Sequence, residues 1–139
     1  MKSIKFTVWG EPQGKARPRF TRMGRTYTPK KTVDYENEIR EKFRENCGRL
    51  KNPLTENLKL IVHAYFEPAE SYSKSKKEKC LANMILPNKK PDIDNILKAV
   101  MDALNKVAYE DDKQITYCIM KKRYSRGARI DVEISEDKI

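Results

Sequence analysis

The chain has one histidine, His63, among 139 residues, which leaves no second histidine for a triad or for histidine-pair nuclease chemistry. His63 stands inside the apolar run Leu58–Phe66, where a structural role is expected. The three cysteines, Cys47, Cys80 and Cys118, are odd in number, widely spaced and without a CxxC pair. No disulfide framework or zinc site is therefore expected, and the thiols should be reduced and partly buried. No apolar run approaches the ~20 residues that cross a bilayer. Residues 1–10 lack the anatomy of a secretory leader, so the expected location is cytoplasmic, with no membrane partner. No small-molecule cofactor is expected either. Acidic residues are missing altogether from Lys15 to Lys31, where seven basic residues stand: Lys15, Arg17, Arg19, Arg22, Arg25, Lys30 and Lys31.

That local absence gives the net charge of +10 its meaning. Solubilising charge is scattered, whereas a binding surface is segregated, so the segment predicts phosphate contact with a polyanion, and Phe20 and Tyr27 within it could stack on unpaired bases. Charged residues make up 36% of the sequence, enough to raise disorder, but the 38% that are hydrophobic fall in periodic segments and predict a folded chain. The length suits one hydrophobic core, and residues 1–139 read as a single domain.

Alternation over Ser3–Trp9 predicts a half-buried strand, ended by Gly10-Glu11-Pro12. The punctuated stretch to Pro29 reads as an extended loop or irregular hairpin. Tyr35, Ile39, Phe43 and Cys47, at four-residue spacing, predict a helix from about Pro29–Thr32 to Leu50. Leu58–Phe66, apolar on both pleat faces, predicts a central strand. Ser75-Lys76-Lys77-Glu78 fits a capping box ahead of a short helix. Ile93, Ile96, Leu97, Val100, Leu104 and Val107 predict a third helix over Ile93–Ala108. Ile115–Tyr124 and Ala128–Ser135 alternate around Ser125-Arg126-Gly127 and predict a β-hairpin. The expected class is α+β, a mixed sheet of about four strands in the order β-α-β-α-α-β-β.

Chemistry gathers at the start of the third helix. An aspartate there is ordinarily an N-cap or a dipole partner, which accounts for one of Asp92 and Asp94. The second, at i+2, predicts convergence on a hard cation such as Mg²⁺ or Mn²⁺. Asp94, Lys98 and Asp102 share one narrow helical sector. An i, i+4 ion-pair ladder explains Asp102, while Lys98, one turn from the aspartates, is placed to hold a water or to offset phosphate charge. Glu110-Asp111-Asp112 adds carboxylates where the chain is expected to return toward the helix start. Carboxylates converging in a basic protein imply a metal.

Two blocks also resemble the RusA family of Holliday junction resolvases: residues 10–19 with 24–29, and residues 90–104 with 111–115. The second holds the core Asp92-Ile93-Asp94-Asn95-Ile96-Leu97-Lys98-Ala99, and the resemblance spans roughly residues 3–134. It implies a RusA-like fold, with Asp92, Asp94 and Asp112 as metal-binding aspartates, Lys98 as the active-site lysine, and Asp111 as a further candidate. It also implies Mg²⁺ or Mn²⁺ as cofactor, a homodimer, and paired cuts in four-way DNA junctions during recombination and repair, often in a prophage setting. The basic segment supplies the DNA contacts expected of Lys15, Arg17, Arg19, Arg22, Arg25 and Tyr27. The chain departs from the family in an insert at Lys74–Lys90 and in lacking glycine between Leu104 and Tyr109.

Two other readings fit the same residues. Pro91-Asp92 with Asp111-Asp112-Lys113 satisfies the PD-(D/E)xK nuclease pattern, which a helix at Ile93–Ala108 would oppose. Alternatively, the chain is a non-catalytic DNA-binding module whose carboxylates are caps and ion pairs. A metal-dependent nicking assay separates module from enzyme.

Overall fold

The computed structural model describes residues 3–138. Strand β1 (Ile4–Trp9) leads into a two-residue-strand hairpin, β2 (Arg19–Phe20) and β3 (Thr26–Tyr27). Helix α1 (Lys30–Asn46), strand β4 (Leu58–Phe66), helices α2 (Lys74–Leu81) and α3 (Ile93–Leu104), and strands β5 (Ile115–Tyr124) and β6 (Arg129–Glu136) follow. The small hairpin apart, this is the expected order and class. The main sheet runs β1-β6-β4-β5, with β4 and β5 parallel and the other neighbours antiparallel.

Alternation sets one face of that sheet into the core. Ile4, Phe6 and Val8 of β1, Leu58, Leu60, Val62, Ala64 and Phe66 of β4, and Ile130, Val132 and Ile134 of β6 are buried there. They pack with Tyr35, Ile39 and Phe43 of α1 and with Ile96, Val100 and Leu104 of α3. Phe6 meets Phe43 edge to face with ring centroids 6.2 Å apart, a favoured aromatic geometry. The opposite face, which includes Ile61, His63 and Tyr65, is only half-buried. β4 is thus interior in the sheet, as expected, but packed on one face instead of two.

Five further expectations need correction. β5 and β6 do not form a hairpin, because β4 lies between them and accepts Ser125 N–H on Phe66 O at 2.9 Å. The residues at 125–128 therefore bridge across the end of a strand, and alternation alone cannot distinguish this from a tight turn. Helix α1 stops at Asn46, before Gly48, whose φ of 64° takes the left-handed conformation that glycine tolerates. Helix α2 is capped by Ser73, two residues before the expected cap, and its hydroxyl accepts Lys76 N–H at 3.1 Å. Helix α3 ends at Leu104: Asn105 is extended and Lys106 has φ 68°, while Ala108 and Tyr109 remain buried. The apolar rhythm persists past the helix because the turn is itself core. All three cysteines are free, Cys80 buried, Cys47 half-buried and Cys118 exposed, so Cys118 departs from the partial burial expected.

Candidate nucleic-acid interface and acidic centre

The basic segment is held against α3 by its own backbone. Lys15 N–H donates to Asn95 O at 3.0 Å, and Ala16 N–H reaches Thr32 Oγ1 at 3.3 Å. Gly14 permits this approach, since a Cβ there would lie 3.0 Å from Pro91 Cβ and 3.1 Å from Asn95 Cβ. Between the segment, the start of α1 and the start of α3 lies a groove of about 890 Å³. Lys15, Arg17, Arg19, Lys31 and Lys90 line it, with Asp92 and Asn95 on one wall. Arg22 and Arg25 lie outside it, exposed at the hairpin turn, and the rings of Phe20 and Tyr27 are also exposed.

Lys15 differs from the other cations. Its Nζ stands 3.1 Å from Glu36 Oε1 and 3.2 Å from Asp102 Oδ2, with only 19% of its side chain exposed. Burial opposes its charge, but hydrogen bonds to Glu36 and Asp102 outweigh that and raise its pKa above 10.5. Asp102 therefore pairs with Lys15 rather than with Lys98. Among the described residues Lys98 has no carboxylate at ion-pair distance, so its ammonium is exposed and unengaged on the outer face of α3.

Asp92 occupies the N-cap position of α3 in extended backbone conformation, yet its carboxylate makes no capping hydrogen bond. Asp94 is exposed in the first turn. The usual helix-start role therefore leaves both carboxylates available. The Glu110–Gln114 turn is built more tightly. Gln114 Oε1 accepts Glu110 and Asp111 N–H at 2.9 Å, while its Nε2 donates to Leu54 O and Glu56 O. Asp111 caps the short 3₁₀ turn, Asp112–Gln114, accepting Lys113 N–H at 2.9 Å, and that bond lowers its pKa. Asp112 makes no such contact, and its pKa is raised, first by burial and then by Asp111 and Asp102. Asp111 is thus occupied by the backbone of the turn, while Asp112 makes no backbone hydrogen bond and shares a side-chain hydrogen bond with Asp111.

Beneath this turn the buried Tyr109 donates its hydroxyl to Met101 O at 2.7 Å. Burial raises its pKa, and Asp112, Asp102 and Asp111 add to the effect. Asp112 thus lies within electrostatic reach of Asp102, in the last turn of α3. At 1.5 Å per residue, Asp92 and Asp102 are separated by roughly 15 Å along the helix axis. Among the described residues, no three His, Cys, Asp or Glu side chains are grouped closely enough to hold one ion. The donors, all carboxylate oxygens, nevertheless suit a hard divalent cation. Pro91-Asp92 opens a helix and does not sit on a strand neighbouring β5, which removes the strand arrangement of the PD-(D/E)xK reading.

The sequence profile described as Endodeoxyribonuclease RusA matches residues 10–135, nearly the whole chain. The chain belongs to the RusA endodeoxyribonuclease family. A Bacillus subtilis (strain 168) relative, the uncharacterized protein YqaN, is 36% identical over 141 residues, covering 98% of each chain. Membership in the RusA family supports nuclease activity, and no helix among the described residues is long and apolar enough to cross a membrane. Lys31, Lys90 and Asn95 line the groove, Lys122 interacts with Asp92, and Asp102 holds Lys15, although none of them was among the site residues expected from the sequence. Asp102 was visible on the helical wheel beside Asp94 and Lys98, and Asn95 within the D-x-D-N core. Lys122, held near Asp92 by the fold, carries no sequence signal beyond the Lys121-Lys122-Arg123 run.

Proposed function

We propose that the protein is a metal-dependent, structure-selective endodeoxyribonuclease that resolves four-way DNA junctions in recombination and repair, working in the cytoplasm as a homodimer. The observation that carries this is a cation-lined groove ending on Asp92, a helix-start carboxylate with no capping bond, in a RusA-family chain.

Arg17, Arg19 and Lys31 hold the sugar-phosphate backbone in the groove. Arg22, Arg25 and Tyr27 extend that grip from the hairpin, with Tyr27 and Phe20 presenting rings for stacking. Lys15, bound by Glu36 and Asp102, aligns the groove floor with α3 more than it contacts phosphate. Asp92, Asp94 and Asp112 are the carboxylates we assign to Mg²⁺, or Mn²⁺ in its place; they are not grouped around one point in this structure and would have to draw together to hold one ion. When bound, such an ion supplies Lewis-acid polarisation of the phosphoryl oxygens and a more acidic water. Lys98, free of ion pairs, places positive charge where the pentavalent phosphorus gathers negative charge. Two-fold pairing of the chains would present two such centres to opposed strands, the geometry that paired symmetric cuts require.

Mixed dimers of wild-type and Asp92→Asn chains on a plasmid cruciform test this reading. One active subunit should nick a single strand and leave the opposed strand intact. A monomer by equilibrium sedimentation, or equal cutting of linear duplex, would contradict it. A fold-competent protein that binds junctions and never nicks them with Mg²⁺ or Mn²⁺ would favour the non-catalytic module.

A further inference from the structure

Asp92 stands on a rim shared by two grooves. The second, about 720 Å³, runs between residues 86–90 and the outer edge of β5 at residues 120–123. Lys90 and Asp92 line both grooves, so the two meet at the candidate catalytic carboxylate. The cations of the second groove are Lys89, Lys90, Lys121, Lys122 and Arg123, and its sole carboxylate is Asp92. Among the described residues, none of the five cations has a carboxylate at ion-pair distance.

These charges are held in place by the fold. Lys122 donates to Lys89 O, tying β5 to the segment before α3. Lys89 and Lys122 both lie over the Phe66 ring, with ammonium nitrogens 5.2 and 5.7 Å from its centroid, and Pro87 of the same segment is buried. Burial lowers the pKa of Lys122, Asp92 opposes that, and Lys89 adds to it. Like charges crowded without counter-ions are costly in the free protein, and a polyanion laid along them relieves the repulsion. Among the described residues β5 is an edge strand, with no neighbouring strand on its far side.

The geometry points to the second groove as a further DNA-backbone site, which takes the cleaved strand on the side of Asp92 away from the N-terminal groove. A strand carries a phosphate about every 3.4 Å of helix axis, so one lying in the first groove reaches the second within a few nucleotides of Asp92. Docking of a second protein copy is the main competitor, because Leu86 and Ile93 are exposed there. A two-fold interface would set the five cations against their own copies, which disfavours it. The inference rests on the proposed nuclease function, and its test separates the two.

The probes are a synthetic four-way junction and a linear duplex, titrated with full-length protein in EDTA over a range of salt. Lys89→Ala/Lys121→Ala/Arg123→Ala should make the log-log salt slope shallower by about 0.9 for each phosphate no longer neutralised, roughly 2 to 3 in all. Arg44→Ala/Arg49→Ala/Lys51→Ala removes as many charges near the other end of α1 and should leave the slope unchanged. If Arg17→Ala/Arg19→Ala lowers the slope and the β5-groove variant does not, the second site is overturned while the nuclease reading stands. If neither lowers it, the nuclease reading fails first. A β5-groove variant that changes sedimenting mass but not the slope identifies an interface between copies and overturns the proposal. Should the triple variant misfold by circular dichroism, Lys121→Glu, at an exposed position, and hydroxyl-radical footprinting of the wild type take its place. Protection on both sides of the cut phosphate is expected, and protection on one side alone overturns the inference.

Discussion

Replacing Lys15 with methionine removes the cation shared by Glu36 and Asp102 while keeping an unbranched apolar side chain. Glu36 has 11% of its side chain exposed and Asp102 has 34%, so the loss leaves one nearly buried carboxylate without its counter-charge. Exposed ion pairs contribute ~0–1 kcal/mol, and breaking a fully buried pair costs about 3–5 kcal/mol. The intermediate burial places Lys15→Met at about 2–3 kcal/mol, or roughly 6–12 °C in melting temperature for a domain of this size. Most of that cost is the stranded Glu36 carboxylate, so Lys15→Met/Glu36→Gln should recover more than half of it. The pH dependence follows from the raised pKa of Lys15. Its stabilisation is complete below 10.5 and is lost as pH rises through the higher folded value. Urea unfolding at pH 7 should therefore show the full wild-type advantage, which should shrink above pH 10.5. A single-variant loss under about 0.5 kcal/mol, or a double variant no better than the single, would refute the reasoning.

Gln114→Ala removes four hydrogen bonds that shape the Asp111–Asp112 turn, so a stability loss of about 2–4 kcal/mol is expected with a disproportionate fall in cleavage, read by calorimetry and single-turnover kinetics. Gly14→Ala sets a methyl 3.0–3.1 Å from Pro91 and Asn95, and should cost about 1–3 kcal/mol and weaken junction binding, measured by urea unfolding and titration. Lys98→Ala should lower the single-turnover rate at least tenfold with junction affinity nearly unchanged, whereas a stability loss without a rate effect would assign it a structural role.

The parts of the structure legible in the sequence are those whose periodicity and burial agree. The stripe of Tyr35, Ile39 and Phe43 marked α1, and Ile96, Val100 and Leu104 marked α3, because a helix must turn those residues to one side. The β5–β6 relation was not legible: alternation reports which face a strand buries, not which strand lies beside it, and β4 enters from elsewhere in the chain. The helix ends moved for backbone reasons at Gly48 and Lys106. At the proposed centre, the placement of Asp94 and Lys98 on α3 with Asp92 at its N-cap was legible from their spacing. The position of Asp112 depends on how Tyr109 and Gln114 fold the turn, and the approach of Lys122 to Asp92 on β5 pairing, so neither could be read from local sequence.

The central claim is that a carboxylate at the α3 start performs phosphodiester hydrolysis on junction DNA held by the neighbouring cations. Single-turnover cleavage of a synthetic four-way junction with Mg²⁺, with binding measured in parallel, compares wild type and Asp92→Asn. Cleavage should fall by about a thousandfold or more, a barrier increase of ~4 kcal/mol, while affinity holds or rises because negative charge near DNA is removed. Cleavage by Asp92→Asn at the wild-type rate, with folding and binding intact, would contradict the account.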